Sequence, residues 1–229
     1  MIKAVVFDLD HTLFDRHATL RAIVPALRER FRVDPALTDD EIAEYWTYGD
    51  DHYVYYGWNY IFAYLCEHGV FTEPPEYGEY RAFIFENFAK VAVKLEDSLP
   101  MLEALKKEGY KVGLITNGGH ALQYKKLDMT GLRYVFDEII VSGDVLIDKP
   151  DKEIFLMMCE KLGVEPGECV YVGDNPKNDI GGAKKAGYRT IWVKSTGTWM
   201  PDAPDPDESV DKISEVPEKV KKIDSSIRN

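Results

Sequence analysis

Cysteine is scarce and scattered. Only Cys66, Cys159 and Cys169 occur in 229 residues, an odd number with no C-x-x-C pair. That pattern argues against a disulfide framework and against structural zinc, and leaves buried free thiols as the reading. Long apolar runs are missing too. No stretch approaches the ~18 residues of a membrane span. Lys3, Asp8 and Asp10 interrupt the first ten residues, where a secretory signal needs an unbroken apolar segment. The expectation is a cytoplasmic protein with no membrane partner. Positive charge is in deficit: 28 Lys and Arg against 40 Asp and Glu leave a net charge of −12. A general nucleic-acid binder needs a basic face, so no nucleic-acid polymer is expected as a partner. A small anion remains open, because one metal ion and one lysine can reverse the field inside a cleft. Repeats and low-complexity segments are absent.

What is present alternates. Short apolar runs at 3–9, 111–116, 138–142, 168–173 and 189–193 have the β-branched character of buried parallel strands. Between them, helical patterns at 99–108, 151–162 and 178–186 each lead to a glycine: Gly109, Gly163 and Gly187. This alternation predicts an α/β fold with a Rossmann-like, doubly wound parallel sheet. Residues 16–93 break the pattern. They read as four helices: about 17–31; a second starting at Thr38, which makes a capping box with Glu41; about 50–68; and one after Pro74 and Pro75 running to about 92. The predicted organisation is a core of 1–15 and 94–229 with an inserted helical-bundle cap at 16–93, hinged near 15–17 and 92–97. The Pro- and Asp-rich stretch from Met200 to about Glu208 reads as a loop, followed by a short strand and helix over 210–222.

The chemistry-bearing residues fall where these strands end. Asp8-Leu9-Asp10-His11-Thr12 follows the first strand, and ligands of parallel sheets bind beyond strand carboxyl ends. A D-x-D pair is by itself an ordinary turn feature. The second strand ends in Thr116-Asn117-Gly118-Gly119, whose hydroxyl, amide and backbone N–H groups suit phosphate oxygens. Lys149 lies in Asp148-Lys149-Pro150, where Pro at a first helical position is the plain alternative reading. The fourth strand ends in Gly173-Asp174-Asn175-Pro176-Lys177-Asn178-Asp179, two further acids of the kind that hold a hard cation.

Taken together, DLDHT at 8–12, TNG at 116–118, Lys149 in DKPDKEIF and GDNPKND at 173–179 resemble the haloacid dehalogenase-like hydrolase superfamily over essentially the whole chain. The resemblance implies that Asp8 attacks phosphorus and forms an aspartyl-phosphate, and that Asp10 protonates the leaving alcohol and then activates water. It implies that Thr116, with the backbone of Asn117 and Gly118, binds the phosphoryl group, and that Lys149 steadies Asp8 and the phosphate. It also implies that Asp8, the carbonyl of Asp10, and Asp174 hold Mg²⁺, with Asp179 supporting the metal's water shell or Lys149. The expected activity is Mg²⁺-dependent hydrolysis of a small phosphorylated metabolite by a monomer or homodimer.

Three alternatives stay open. Dehalogenases of the superfamily need neither an acid at the Asp10 position nor Mg²⁺. A sugar-phosphate mutase would share the core. A phospho-acceptor module would lack the helical insertion. In the insertion, half of residues 45–64 are aromatic. Most read as bundle core. Tyr55 and Trp58 are the candidates for contact with a substrate's organic part, which points to a nucleoside monophosphate as one substrate.

Overall fold

The computed structural model describes residues 1–54, 56–195 and 199–228. In chain order the elements are β1 (Ala4–Phe7), α1 (Arg16–Arg30), β2 (Arg32–Val33), α2 (Asp39–Tyr53), α3 (Trp58–Glu67), β3 (Phe71–Glu73) and α4 (Tyr77–Asn87). There follow α5 (Ser98–Lys107), β4 (Lys111–Thr116), α6 (His120–Thr130), β5 (Glu138–Val141), α7 (Ser142–Val145) and α8 (Lys152–Leu162). The chain continues through β6 (Cys169–Gly173), α9 (Gly182–Ala186), β7 (Arg189–Val193), β8 (Glu208–Val210) and α10 (Val216–Arg228). Two compact units result: Met1–Asp15 with Lys94–Asn229, and Arg16–Val93.

The first unit is built on six parallel strands in the order β5-β4-β1-β6-β7-β8. β1 lies at the centre, and all four of its residues are buried, which explains why its sequence is continuously apolar. Strand order reverses direction at β1, so β1 with its neighbours β4 and β6 forms the switch point of the sheet. The loops carrying Asp8, Thr116 and Asp174 therefore emerge side by side. α8 packs on one face through Ile154, Phe155, Met158 and Leu162, against Val6, Ile115 and Tyr171.

Two local features re-aim the chain at the site. After Asp174 the backbone enters a π-helical turn over Pro176–Gly181 before α9, an irregularity common at functional positions. The sequence pattern predicts an ordinary helix there. Pro150 is not the first residue of a helix either: α8 begins at Lys152, and Asp151 caps it by accepting from the Glu153 N–H. The sequence pattern also assigns no helix between 117 and 137, where the structure has α6.

The second unit contains the four helices α1–α4, and its core includes Ile42, Trp46, Ile61, Leu65 and Tyr80. Thr38 and Glu41 form the capping box of α2. The boundaries differ from the expected ones. α2 runs on to Tyr53, and the chain breaks at Gly57, whose φ of 119° no helix accommodates, before restarting at Trp58. α4 stops at Asn87. β2 and β3 form a two-stranded antiparallel ribbon that the sequence pattern does not announce, because strands this short carry no readable alternation. Among the described residues, no helix is long and apolar enough to cross a membrane.

Candidate active site

Asp8 directly follows β1, and its N–H donates to the Val172 carbonyl at 2.9 Å, which extends the β1–β6 pairing as far as the site. The chain then turns tightly: the N–H groups of Leu13 and Phe14 both reach the Leu9 carbonyl, and His11 adopts a left-handed φ of 61°. A non-glycine residue there is strained, as turn positions at functional sites often are.

Lys149 is the hub. Its ammonium lies 2.6 Å from Asp8 Oδ1, 2.7 Å from Asp179 Oδ1 and 3.0 Å from the Tyr171 hydroxyl. All four side chains are buried. Tyr171 in turn donates to the Ile115 carbonyl at 3.1 Å, which anchors the hub to β4. Asp179 is held from its other oxygen by the Asn175 N–H at 2.9 Å. It tucks beneath the end of β6, where a Cβ on Gly173 would come within 2.5 Å of its carboxylate, so only glycine fits there. Carboxylate oxygens of Asp8, Asp174 and Asp179 lie within 4.8 Å of one another. The Asp174 carbonyl is fixed by the Trp192 indole N–H at 2.8 Å.

Thr116 ends β4 and is fully buried. Its hydroxyl oxygen accepts from Gln123 Nε2 at 2.6 Å. The side chain of Asn117 is committed elsewhere: Nδ2 donates to the Lys149 carbonyl at 3.0 Å, and Oδ1 accepts from the Lys149 N–H at 2.9 Å. Asn117 thus pins the loop that carries the lysine. The Gly118 N–H donates to Ser142 Oγ at 3.0 Å, so in this structure it is occupied within the protein. Asp10, by contrast, is clasped by residues to which the sequence reading gave no role. Lys126 Nζ lies 2.7 and 2.9 Å from its two oxygens, and Gln123 Nε2 lies 3.2 Å from Oδ2.

The electrostatics follow from this packing. Burial pushes the Asp8 carboxyl up to about 7; Lys149 pulls the other way, and the charges of Asp179 and Asp10 add repulsion. Burial also works against the Lys149 ammonium, but Asp179 and Asp8 outweigh it and hold its pKa well above the usual lysine range. The pKa of Asp8 is raised from 3.8 when the chain folds, so its contribution to stability is fully present below about pH 4 and is lost as pH rises through about 7. With metal chelated, Asp8→Asn is therefore expected to match the parent near pH 4 and to exceed it at pH 8 by up to about 4 kcal/mol. Urea unfolding at the two pH values measures this; a stability difference that does not change with pH would refute it.

Residues 5–193 match the haloacid dehalogenase-like hydrolase family. The chain belongs to that family. It is 30% identical over 204 residues to a glyceraldehyde 3-phosphate phosphatase of Methanopyrus kandleri, covering 85% of this chain and 84% of the relative. Over 221 residues it is 29% identical to the pyrimidine 5′-nucleotidase YjjG of Escherichia coli K12, covering 93% and 95%. A crystal structure of a HAD phosphatase from Thermococcus onnurineus superposes with a TM-score of 0.67 at 30% identity, covering 96% and 98%. Within the family the chain is an enzyme of the phosphatase kind, a phosphoric monoester hydrolase.

The two aromatic candidates of the helical unit fare differently. Tyr55 lies outside the described residues. Trp58 stacks edge-on against Phe88, with ring centroids 5.7 Å apart. The Arg16 guanidinium lies 5.0 Å from both rings and is held by Asp50. Trp58 is half-buried and makes these contacts within its own unit. Trp46 is fully buried as bundle core, whereas Tyr48, Tyr56 and Tyr60 are exposed.

Proposed function

We propose that the protein hydrolyses a small phosphorylated metabolite through an aspartyl-phosphate on Asp8, with Mg²⁺ as cofactor. The observation that carries this reading is the clustering of Asp8, Asp174 and Asp179, two of which, Asp8 and Asp179, share the ammonium of Lys149. Burial first, and then the neighbouring charges of Asp179 and Asp10, raise the pKa of Asp8, and a bound cation would oppose that rise. An all-oxygen donor set of this kind fits a small divalent ion. Asp8 and Asp174 would hold it, with Asp179 beside them and the Asp10 carbonyl as a further donor. When bound, the ion would neutralise charge on the phosphoryl oxygens and keep Asp8 ionised.

The protein groups divide the remaining work. An Asp8 carboxylate oxygen attacks phosphorus, and the bond from phosphorus to the ester oxygen breaks with its electron pair. Asp10 gives its proton to that departing oxygen. Water then loses a proton to Asp10, and its oxygen attacks phosphorus. The Asp8–phosphorus bond breaks, releasing phosphate and restoring both carboxyl groups. Lys149 holds Asp8 in line and stabilises the charge that develops on the phosphoryl oxygens. Thr116 donates its hydroxyl to one of those oxygens. An acid at the Asp10 position and a third carboxylate at Asp174 favour phosphoryl transfer over carbon–halogen cleavage, which needs neither.

A nucleoside monophosphate is a second substrate reading, supported by the resemblance to a pyrimidine nucleotidase. A phosphate-release panel of triose phosphates, sugar phosphates and nucleoside monophosphates tests both readings, run with Mg²⁺ and with a chelator. Metal-dependent turnover of at least one class is expected. Equal rates on triose phosphates and nucleotides would remove the nucleotide reading, and full activity in chelator would remove Mg²⁺.

A further inference from the structure

α6 turns an unusual face inward. Its buried residues are Gln123, Lys126, Leu127 and Thr130, three of them polar. Gln123 and Lys126 are separated by three positions and so share one side of the helix. Lys126 is 1% exposed, an ammonium almost fully withdrawn from water. Its Nζ bonds both Asp10 oxygens and lies 5.0 Å from the centroid of the Phe14 ring. Gln123 Nε2 faces three acceptors: Thr116 Oγ1 at 2.6 Å, the Asn117 carbonyl at 2.9 Å and Asp10 Oδ2 at 3.2 Å. Its Oε1 is buried and accepts no hydrogen bond among the described residues.

Packing alone does not account for this. Burying an ammonium and leaving an amide oxygen unpaired both cost stability, and an aliphatic face would fill the same space without that cost. What the arrangement achieves is position. Asp10 sits on a strained turn with its side chain partly exposed to water, where a carboxylate left alone would rotate. Two donors from a rigid helix fix both of its oxygens. The same amide also fills the acceptor side of the Thr116 hydroxyl, which leaves that proton to be donated to a phosphoryl oxygen.

We infer that Lys126, with Gln123, is a positioning residue of the phosphoryl-transfer site, acting through Asp10. The inference rests on the assignment of Asp10 as proton donor and acceptor made above. It predicts a particular kinetic signature with p-nitrophenyl phosphate, whose leaving group departs without a proton. Formation of the aspartyl-phosphate should then be nearly indifferent to Asp10, and its hydrolysis should depend on it. Lys126→Met is expected to lower kcat by about 10²-fold. KM should fall with it, so that kcat/KM changes by no more than about threefold, and phosphorylated enzyme should accumulate.

Asp10→Asn should behave in the same way, and the double variant should be no slower than Asp10→Asn alone, because both changes remove one function. Losses that multiply, or a kcat/KM that falls in step with kcat, would overturn the inference and mark Lys126 as merely structural. If Lys126→Met does not fold by circular dichroism, Gln123→Leu is read by the same criteria. If Asp10→Asn itself lacks the signature, the acid–base assignment fails. If Asp10→Asn has it and Lys126→Met does not, only the positioning role fails.

Discussion

Asp8→Asn is expected to reduce kcat by on the order of 10⁵-fold, the scale seen when a covalent nucleophile is removed. The substitution is nearly isosteric, so the loss reports chemistry and not packing. An amide does not attack phosphorus, and it removes one oxygen from the acidic cluster. Steady-state kinetics on the best substrate of the panel measures the loss. Mass spectrometry of acid-quenched enzyme supplies the second reading: the parent should carry one phosphoryl group on the peptide containing Asp8, and the variant none. A variant that keeps even a tenth of the activity would eliminate the covalent route. The same substitution is expected to stabilise the metal-free fold at pH 8, since it relieves a buried carboxyl that resists ionisation. Opposite effects on rate and stability are the mark of a group placed for chemistry at the expense of the fold.

Lys149→Met should be the most damaging change for the protein as a whole. It leaves Asp8 and Asp179 buried beside each other without the ammonium that now bonds both. Removing one partner of a buried ion pair costs about 3–5 kcal/mol, because the remaining charge is uncompensated. The loss should be largest near pH 8 and smaller near pH 5, where Asp8 takes up a proton and the repulsion lapses. Tyr171 would also lose the cation at 3.0 Å from its hydroxyl. On the catalytic side, kcat should fall by roughly 10²–10³, the usual effect of deleting one group that stabilises transition-state charge. Chemical denaturation at the two pH values, together with Mg²⁺-saturated kinetics, checks both parts. An unfolding midpoint that does not move at pH 8 would show that Lys149 does not offset the buried charges of Asp8 and Asp179.

The sequence by itself determined much of this protein. The parallel strands were legible because their residues are buried on both faces and are therefore continuously apolar, as Ala4–Phe7 illustrates. The candidate site residues were legible because a doubly wound sheet brings the ends of its central strands together. Asp8, Thr116 and Asp174 each lie at the end of a readable run, so topology needed only to bring those runs together. Tertiary structure decided the partners. Lys126 meets Asp10 across 116 positions, and Gln123 meets it across 113. Both lie on a helix whose inward face is largely polar, so the apolar period that announces a helix is missing from α6. The side-chain amide of Asn117 suits phosphate in sequence, and the fold turns that side chain onto the backbone of Lys149, which leaves only its backbone for a phosphate. Tyr171 reads as one more apolar strand residue, and the fold gives its hydroxyl to the same lysine. Local pattern records which residues are buried or lie at a strand's end. It does not record which buried polar groups satisfy one another, because those pairings form only when distant segments close around the same few ångströms.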